Sequence, residues 1–279
     1  MKLRRKEDIE VLKSQEFDLG EMMVWTKDLF LGAGTENFRI PEDILEFGFE
    51  LIFQNYAEAK NDSIKKLIRR KVLHTREVVE AGIEILEAES ENELDPYMAG
   101  AVTFAHDFGR FPQAQLGSYS DIKTGFDHAK AGEEILLAGN FPLSEKRGIE
   151  IKKLAEAVRV HSALAYTGEN IYGKFIRDAD KLGLLDYFPY HIEEYEVSTG
   201  KVTPDAIKAF EEGRLVPKEN INNRIDVFLC WLSWQYDLNF AATRKLFESG
   251  GMKAYMLGEI QRMDEDVWRK VITQETITS

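Results

Sequence analysis

Five histidines are spread over the 279 residues, at His74, His106, His128, His161 and His191. The first four fall on or at the ends of separate helix-like segments, and His106 is followed at once by Asp107. His74 lies in Lys-Val-Leu-His-Thr-Arg, His128 in Phe-Asp-His-Ala-Lys-Ala-Gly, and His161 closes Val-Arg-Val-His-Ser. Two further carboxylates, Asp178 and Asp180, occur in Ile-Arg-Asp-Ala-Asp-Lys-Leu. Imidazole with carboxylate is a donor set for Zn, Mn, Fe, Co or Ni. A site drawn from several helices is a common way to hold one or two ions in a helical core. A carboxylate such as Asp107 can bridge two ions through its two oxygens, and paired ions can share a hydroxide and clamp a phosphoryl group.

Each residue alone also has a plainer reading. A histidine near a helix end is often a surface or capping residue, which is the reading taken for His191 in Tyr190-His191-Ile192-Glu193-Glu194. Asp178 fits a solvated helix position, and Asp180 fits a surface pair with Lys181 that is worth little. A short motif such as His-Asp also matches by chance. The inference rests on the set.

The elements that must position these residues read as helices. Apolar residues recur in steps of three and four from Ser63 to Glu87, at Ile64, Leu67, Ile68, Val72, Val78, Val79, Ile83 and Leu86, which predicts a long amphipathic helix capped by Asp62-Ser63. Further helices are expected over 41–56, 96–107, 127–137, 144–160, 172–185, 220–247 and 253–273. Residues 109–124, rich in Gly, Ser and Asp, read as a functional loop directly after His106-Asp107, and 187–216 as a polar connection. The expected fold class is all-α: a single helical bundle over 63–247, an N-terminal helical extension over 1–62 that could act as a lid or dimer arm, and a C-terminal helix over 248–279 packed on the same domain.

Composition narrows the function classes. With 36 basic and 49 acidic residues the net charge is −13, which repels nucleic-acid backbones and excludes generic nucleic-acid coating. A small anionic substrate stays compatible, because ions and a few cations can reverse the field locally. Cys230 is the one cysteine and lies among Phe228, Leu229, Trp231 and Leu232, so it reads as a buried small hydrophobe in a reducing compartment. No secretory signal or membrane-length apolar run is evident, and a cytoplasmic protein with no membrane partner is expected.

The ordered set His74, His106-Asp107, His128, His161 and Asp180 resembles the HD-domain superfamily of metal-dependent phosphohydrolases. The resemblance extends to Ala105-His106-Asp107-Phe108-Gly109-Arg110-Phe111 with Gln113, to Asp127-His128-Ala129 with Gly132, to Ile176-Arg177-Asp178-Ala179-Asp180-Lys181-Leu182, and to Tyr236-Asp237-Leu238-Asn239-Phe240. These stretches look like an uncharacterised bacterial branch of the superfamily, and the likeness covers roughly residues 63–247.

The resemblance implies a helical fold with the metal in the middle of the bundle. It selects Asp180 over Asp178, since the family's last aspartate sits in an Ala-Asp-basic-Leu context. His74, His106, Asp107 and Asp180 would hold one divalent ion. As in the dinuclear subgroups, Asp107 would bridge to a second ion held by His128 and His161. The ion type (Mn, Fe, Zn, Co, Ni or Mg) stays open. The chain departs from the cyclic-dinucleotide phosphodiesterases, which usually carry Lys at the place of Arg110 and have a Gly-Tyr-Pro stretch, so that substrate is not expected.

A metal-activated hydroxide attacking phosphorus in line is the mechanism this implies. Arg110, just past the His-Asp pair, offers a guanidinium that can fork onto two phosphate oxygens. Lys181, beside the last ligand, is the second expected substrate contact. Asp107, Arg110 and Lys181 thus form the expected catalytic set. Gln113, Tyr119 and Phe126 are candidate pocket residues, whereas Lys130 and Arg76 would point away. Trp231, Trp234, Tyr236 and Phe240 read as core.

The leading expectation is a hydrolase of a phosphomonoester or phosphodiester in a nucleotide or similar small phosphate. The same six ligands also serve HD-fold diiron oxygenases that cleave C–C or C–P bonds, and a ligand-sensing, non-catalytic module is the third class. A homo-oligomer is compatible with each.

Overall fold

The computed structural model describes residues 17–30, 38–89, 93–186 and 199–278. Among them the chain is all-α, with no strand. His191, and residues 1–16 and 31–37 of the expected N-terminal extension, lie outside the described residues. Among the described residues no helix is long and apolar enough to cross a membrane. The chain divides into two compact units, one within residues 2–184 and one within 185–279.

In the first unit, α1 (Leu19–Phe30) and α2 (Glu42–Glu58) precede the long α3 (Asp62–Ala88). The N-cap of α3 is Asn61, whose side chain accepts from the Ile64 amide, one residue earlier than the Asp62-Ser63 expected. The 27 residues of α3 make a rod about 40 Å long at 1.5 Å per residue. Its apolar stripe, with Ile68, Val72 and Val79 fully buried, is the core face that the spacing predicts. Next come α4 (Pro96–Ala105), α5 (Arg110–Ala114), α6 (Asp121–Thr124), α7 (His128–Ala138), α8 (Pro142–Lys146), α9 (Ile151–Val160) and α10 (Ile171–Asp186).

Several short-range expectations need correction. Residues 109–124 hold two short helices, α5 and α6, rather than a loop throughout. Pro112 is tolerated within the first turn of α5, where its missing N–H costs no helical bond. Ser120 caps α6 by accepting from the Lys123 amide. The single helix expected over 144–160 is two, α8 and α9, parted at Gly148, whose φ of +83° is open to glycine and costly to other residues.

An aromatic cluster anchors the end of α4 on α2. Phe104 meets Phe30 edge-on at 5.0 Å and Phe108 at 5.6 Å between ring centres, and Phe47 lies 6.0 Å from Phe108. Phe104 and Phe108 flank His106-Asp107 in sequence, so their burial, on the order of 1.5–3 kcal/mol each, pins the dipeptide from behind.

The second unit contains α11 (Pro204–Glu211), α12 (Arg224–Leu232), α13 (Ala241–Ser249), α14 (Met252–Met263) and α15 (Glu265–Thr278). The helix expected over 220–247 is interrupted by a 3-10 turn at Ser233–Asp237. The helix expected over 253–273 is broken at Asp264, which is extended and whose carboxylate accepts from the Val267 amide. Trp231 and Cys230 are buried, as core residues should be, and burial pushes the Cys230 thiol up to about 12, so it is no thiolate.

Candidate metal centre

The site starts from how helices end. The last carbonyls of an α-helix have no partner within it. Both α4 and α9 are followed at once by a histidine that uses this. His106 Nδ1 donates to the Thr103 carbonyl at 2.8 Å, and His161 Nδ1 donates to the Val158 carbonyl at 2.6 Å. A carbonyl only accepts, so each Nδ1 carries the proton and each Nε2 of the neutral ring is a lone pair aimed outward. His106 Nε2 is buried and has no hydrogen-bond partner among the described residues.

His128 opens α7, behind its N-cap Asp127. Its Nδ1 donates to Asp121 Oδ2 at 2.6 Å, which again leaves Nε2 as the free donor atom. His128 Nε2 faces His161 Nε2 at 3.3 Å. Two lone pairs at that distance repel unless a cation or a proton lies between them, so the geometry calls for positive charge there. His74 comes from the middle of α3, with Nε2 2.9 Å from Asp180 Oδ1 of α10.

Asp107 stands between the two sets. Its Oδ2 lies 3.4 Å from His106 Nε2 and 3.6 Å from His74 Nε2. Its Oδ1 lies 3.6 Å from His161 Nε2 and 3.9 Å from His128 Nε2. Two clusters able to hold a metal ion result: His74, His106 and Asp180, and Asp107, His128 and His161, the donor atoms within each lying inside 4.8 Å of one another. The donor chemistry of each cluster, imidazole with carboxylate, suits a metal ion. Asp178 is also buried, but two helical positions lie about 200° apart, and it belongs to neither cluster.

Close backbone approaches bring these elements together. A Cβ on Gly109 would stand 2.0 Å from the His128 carbonyl oxygen and 2.8 Å from the Gly132 amide nitrogen. Only glycine lets the turn after His106-Asp107 lie against the start of α7. A Cβ on Gly183 would likewise stand 2.9 Å from the Val78 amide nitrogen, which is how α10 brings Asp180 to His74 on α3. Arg177, buried on α10, donates to the carbonyls of Val160, His161, Ala163 and Leu164. It thereby neutralises the C-terminal end of α9 and locks the segment that carries His161.

The electrostatics favour neutral rings at His74 and His128 and ionised carboxylates at Asp107 and Asp180. Burial, followed by the Lys71 ammonium, pushes His74 down to about 4, and burial also takes His128 to about 4. Burial disfavours charge on His106 too, but the neighbouring Asp107 charge, with that of Asp180, outweighs it and raises the ring. Burial pushes Asp107 and Asp180 up. Against it, Lys71 and His106 hold Asp107 well below the carboxylate range, and the His74 hydrogen bond does the same for Asp180.

Residues that the sequence reading missed also appear here. Lys71 Nζ donates to Asp107 Oδ2 at 2.7 Å and lies 5.4 Å above the Tyr119 ring. It sits three residues before His74, and that i, i+3 spacing on one helix face is the signal that could have found it. Asp121 is the second. It accepts from His128, from Arg110 Nη1 at 2.9 Å and from Gln113 Nε2 at 2.8 Å. Burial raises its pKa, but the His128 hydrogen bond and charge, with Arg110, bring it down to about 2.

The expected substrate contacts are placed as follows. Arg110 Nε lies 3.6 Å from Asp107 Oδ1, while its Nη1 donates to Gln113 Oε1, the Tyr119 carbonyl and Asp121. Lys181 is half-buried on α10, one residue past Asp180 and so on a different flank of that helix. Tyr119 donates its hydroxyl to the Leu67 carbonyl at 2.7 Å. Gln113 is buried as a clasp on Asp121, Thr124 and Phe126. A cleft of about 510 Å³ is lined by Asp121, Ile122, Phe126, Arg159, Ser162 and Ala163.

Comparison of the chain with protein-family models, curated proteins and solved structures finds no match.

Proposed function

We propose that this chain is a metal-dependent phosphohydrolase of the HD-domain type, which cleaves a phosphomonoester or phosphodiester bond in a nucleotide or similar small phosphate. The observation that carries this reading is the split of Asp107, with Oδ2 toward His74 and His106 and Oδ1 toward His128 and His161. A carboxylate so placed suits a bridge between two divalent ions, one in each cluster. When bound, such ions supply Lewis acidity toward phosphoryl oxygens and make hydroxide available near neutral pH.

The chain's own residues do the positioning. Nδ1 hydrogen bonds orient His106, His128 and His161 so that Nε2 is the donor atom of each. Lys71 and Arg110 add fixed positive charge on either side of Asp107, where transferring phosphoryl oxygens would gain charge. The Tyr119 ring lies beneath both cations, 5.4 Å from Lys71 Nζ and 5.7 Å from the Arg110 guanidinium carbon. With metal ions bound, the centre would be locally positive within a chain of net charge −13, which suits a small anion over an extended polyanion.

The test is a metal-free chain reloaded with Mn2+ and given p-nitrophenyl phosphate, bis(p-nitrophenyl) phosphate and a panel of nucleotides. Metal-dependent release of phosphate or nitrophenol that Asp107→Ala abolishes is expected. Oxygen uptake by the iron-loaded chain, with no hydrolysis, would replace the hydrolase by the diiron oxygenase. Metal and nucleotide binding with no turnover of either kind would favour the sensing module.

A further inference from the structure

We propose that Asp121 is the positioning residue for the second ion of this centre, holding His128 as a ligand while Arg110 and Gln113 hold Asp121. The proposal rests on the reading of the centre as one that takes two ions. It gives Arg110 a role other than the substrate fork that its sequence position suggests.

The chemistry follows from the hydrogen bonds around one carboxylate. Of the histidines flanking Asp107, His106 and His161 are fixed by carbonyls of their own helices, three residues back. Those partners come with the helix and cannot leave without unfolding it. His128 stands at the start of α7, where no carbonyl of a preceding turn is available, so its Nδ1 is held instead by a side chain seven residues away. A carboxylate on Nδ1–H fixes the tautomer, aims Nε2 and raises the basicity of the ring toward a cation.

Asp121 belongs to α6, a helix of four residues, and its side chain is 39% exposed. Little of its position is set by packing. It is set by Arg110 Nη1 and Gln113 Nε2 on Oδ1, which leaves Oδ2 for His128. Arg110 Nη1 also takes the Gln113 amide oxygen and the Tyr119 carbonyl, so this nitrogen is committed to the segment that carries Asp121. The cluster of His74, His106 and Asp180 has no member that depends on α6. The two clusters therefore differ in kind: one is built from helices alone, and the other is conditional on a short segment. That segment also borders the cleft lined by Asp121, Phe126 and Arg159. A ligand there would touch the residue that orients His128.

The experiment titrates the full-length, metal-free chain with Mn2+, following stoichiometry by calorimetry and the exchange-coupled two-ion signal by electron paramagnetic resonance. The wild-type chain is expected to take two ions and show the coupled signal. Asp121→Ala should bind the first ion as the wild type does and the second about 10- to 100-fold more weakly, with no coupled signal at two equivalents. Asp121→Asn, whose amide oxygen can still accept from Nδ1–H, should fall between. Arg110→Met should shift in the direction of Asp121→Ala. Wild-type affinity for both ions in Asp121→Ala overturns the proposal. So does equal loss of both ions in Asp121→Ala, which would mark a merely structural role, or an Asn variant no better than Ala. A wild-type chain that takes a single ion instead overturns the two-ion reading, and the proposal with it.

Discussion

Lys71 places its ammonium nitrogen 2.7 Å from Oδ2 of Asp107, the oxygen that faces His74 and His106. A cation of the chain thus occupies ground that a metal ion in the first cluster must share. Lys71→Met should leave affinity for the first Mn2+ equal to or above that of the wild type, because a competing charge is gone. Turnover of a phosphate ester should fall by about 10²–10³ in kcat, the usual cost of losing one fixed donor at a developing charge. Calorimetry and steady-state kinetics on one preparation check both halves. Weaker metal binding with unchanged kcat would contradict this account of Lys71.

Asp107→Ala removes the one carboxylate with an oxygen toward each cluster. Metal content after Mn2+ loading should drop to one ion per chain or fewer, and hydrolysis should fall to background. Elemental analysis beside an activity assay decides it. Full activity in this variant would remove the basis of the proposed function.

The metal-free chain should lose stability on acidification. His74 and His128 are held at about 4, below their ordinary 6.5, so between those values the folded chain binds fewer protons than the unfolded chain. Their contribution is complete above about pH 6.5 and is lost as pH falls to about 4, on the order of 3 kcal/mol for each ring. His106, raised by Asp107, acts in the opposite sense and reduces the net loss. Urea unfolding of the chelated protein at pH 7.5 and pH 4.5 reads the difference; equal midpoints would contradict the burial argument.

Gly109→Ala puts a methyl group 2.0 Å from the His128 carbonyl oxygen, a backbone atom that cannot swing aside. Destabilisation of about 1–3 kcal/mol is expected, together with weaker binding of the second Mn2+, since α7 must move away from Asp107. Thermal melting and the metal titration report the two effects separately. A variant with unchanged stability and two tightly bound ions would show that the close approach has no part in placing His128.

Much of the helix pattern was legible because it is local. The 3.6-residue period of apolar positions marks α3 from Asp62 to Ala88 to within a residue or so of its ends. Interruptions were less legible. Gly148 and Asp264 break segments that carry apolar residues on both sides, so periodicity runs through them. Pro112, read as a loop residue, instead fits the first turn of α5, with Gly109 as its N-cap. The four histidines and Asp107 were legible by residue type and order, whereas the resemblance chose Asp180 over Asp178. Lys71 and Asp121 were not, because a lysine in a basic run and an aspartate in a polar turn carry no mark of burial or partner.

By itself the sequence determined the all-α class, the helix periods and a donor inventory of four histidines with Asp107, Asp178 and Asp180 as candidate carboxylates. These depend on side-chain type and short spacing, which are properties of the chain alone. Tertiary structure decided which oxygen of Asp107 faces which histidines, why Nε2 is the outward atom of three rings, and that Asp121 rather than a helix carbonyl holds His128. It also decided that Arg110 is tied into the segment beside the candidate metal ligands. Such relations join residues far apart in sequence, and they exist only once Gly109 and Gly183 let separate helices approach to backbone contact.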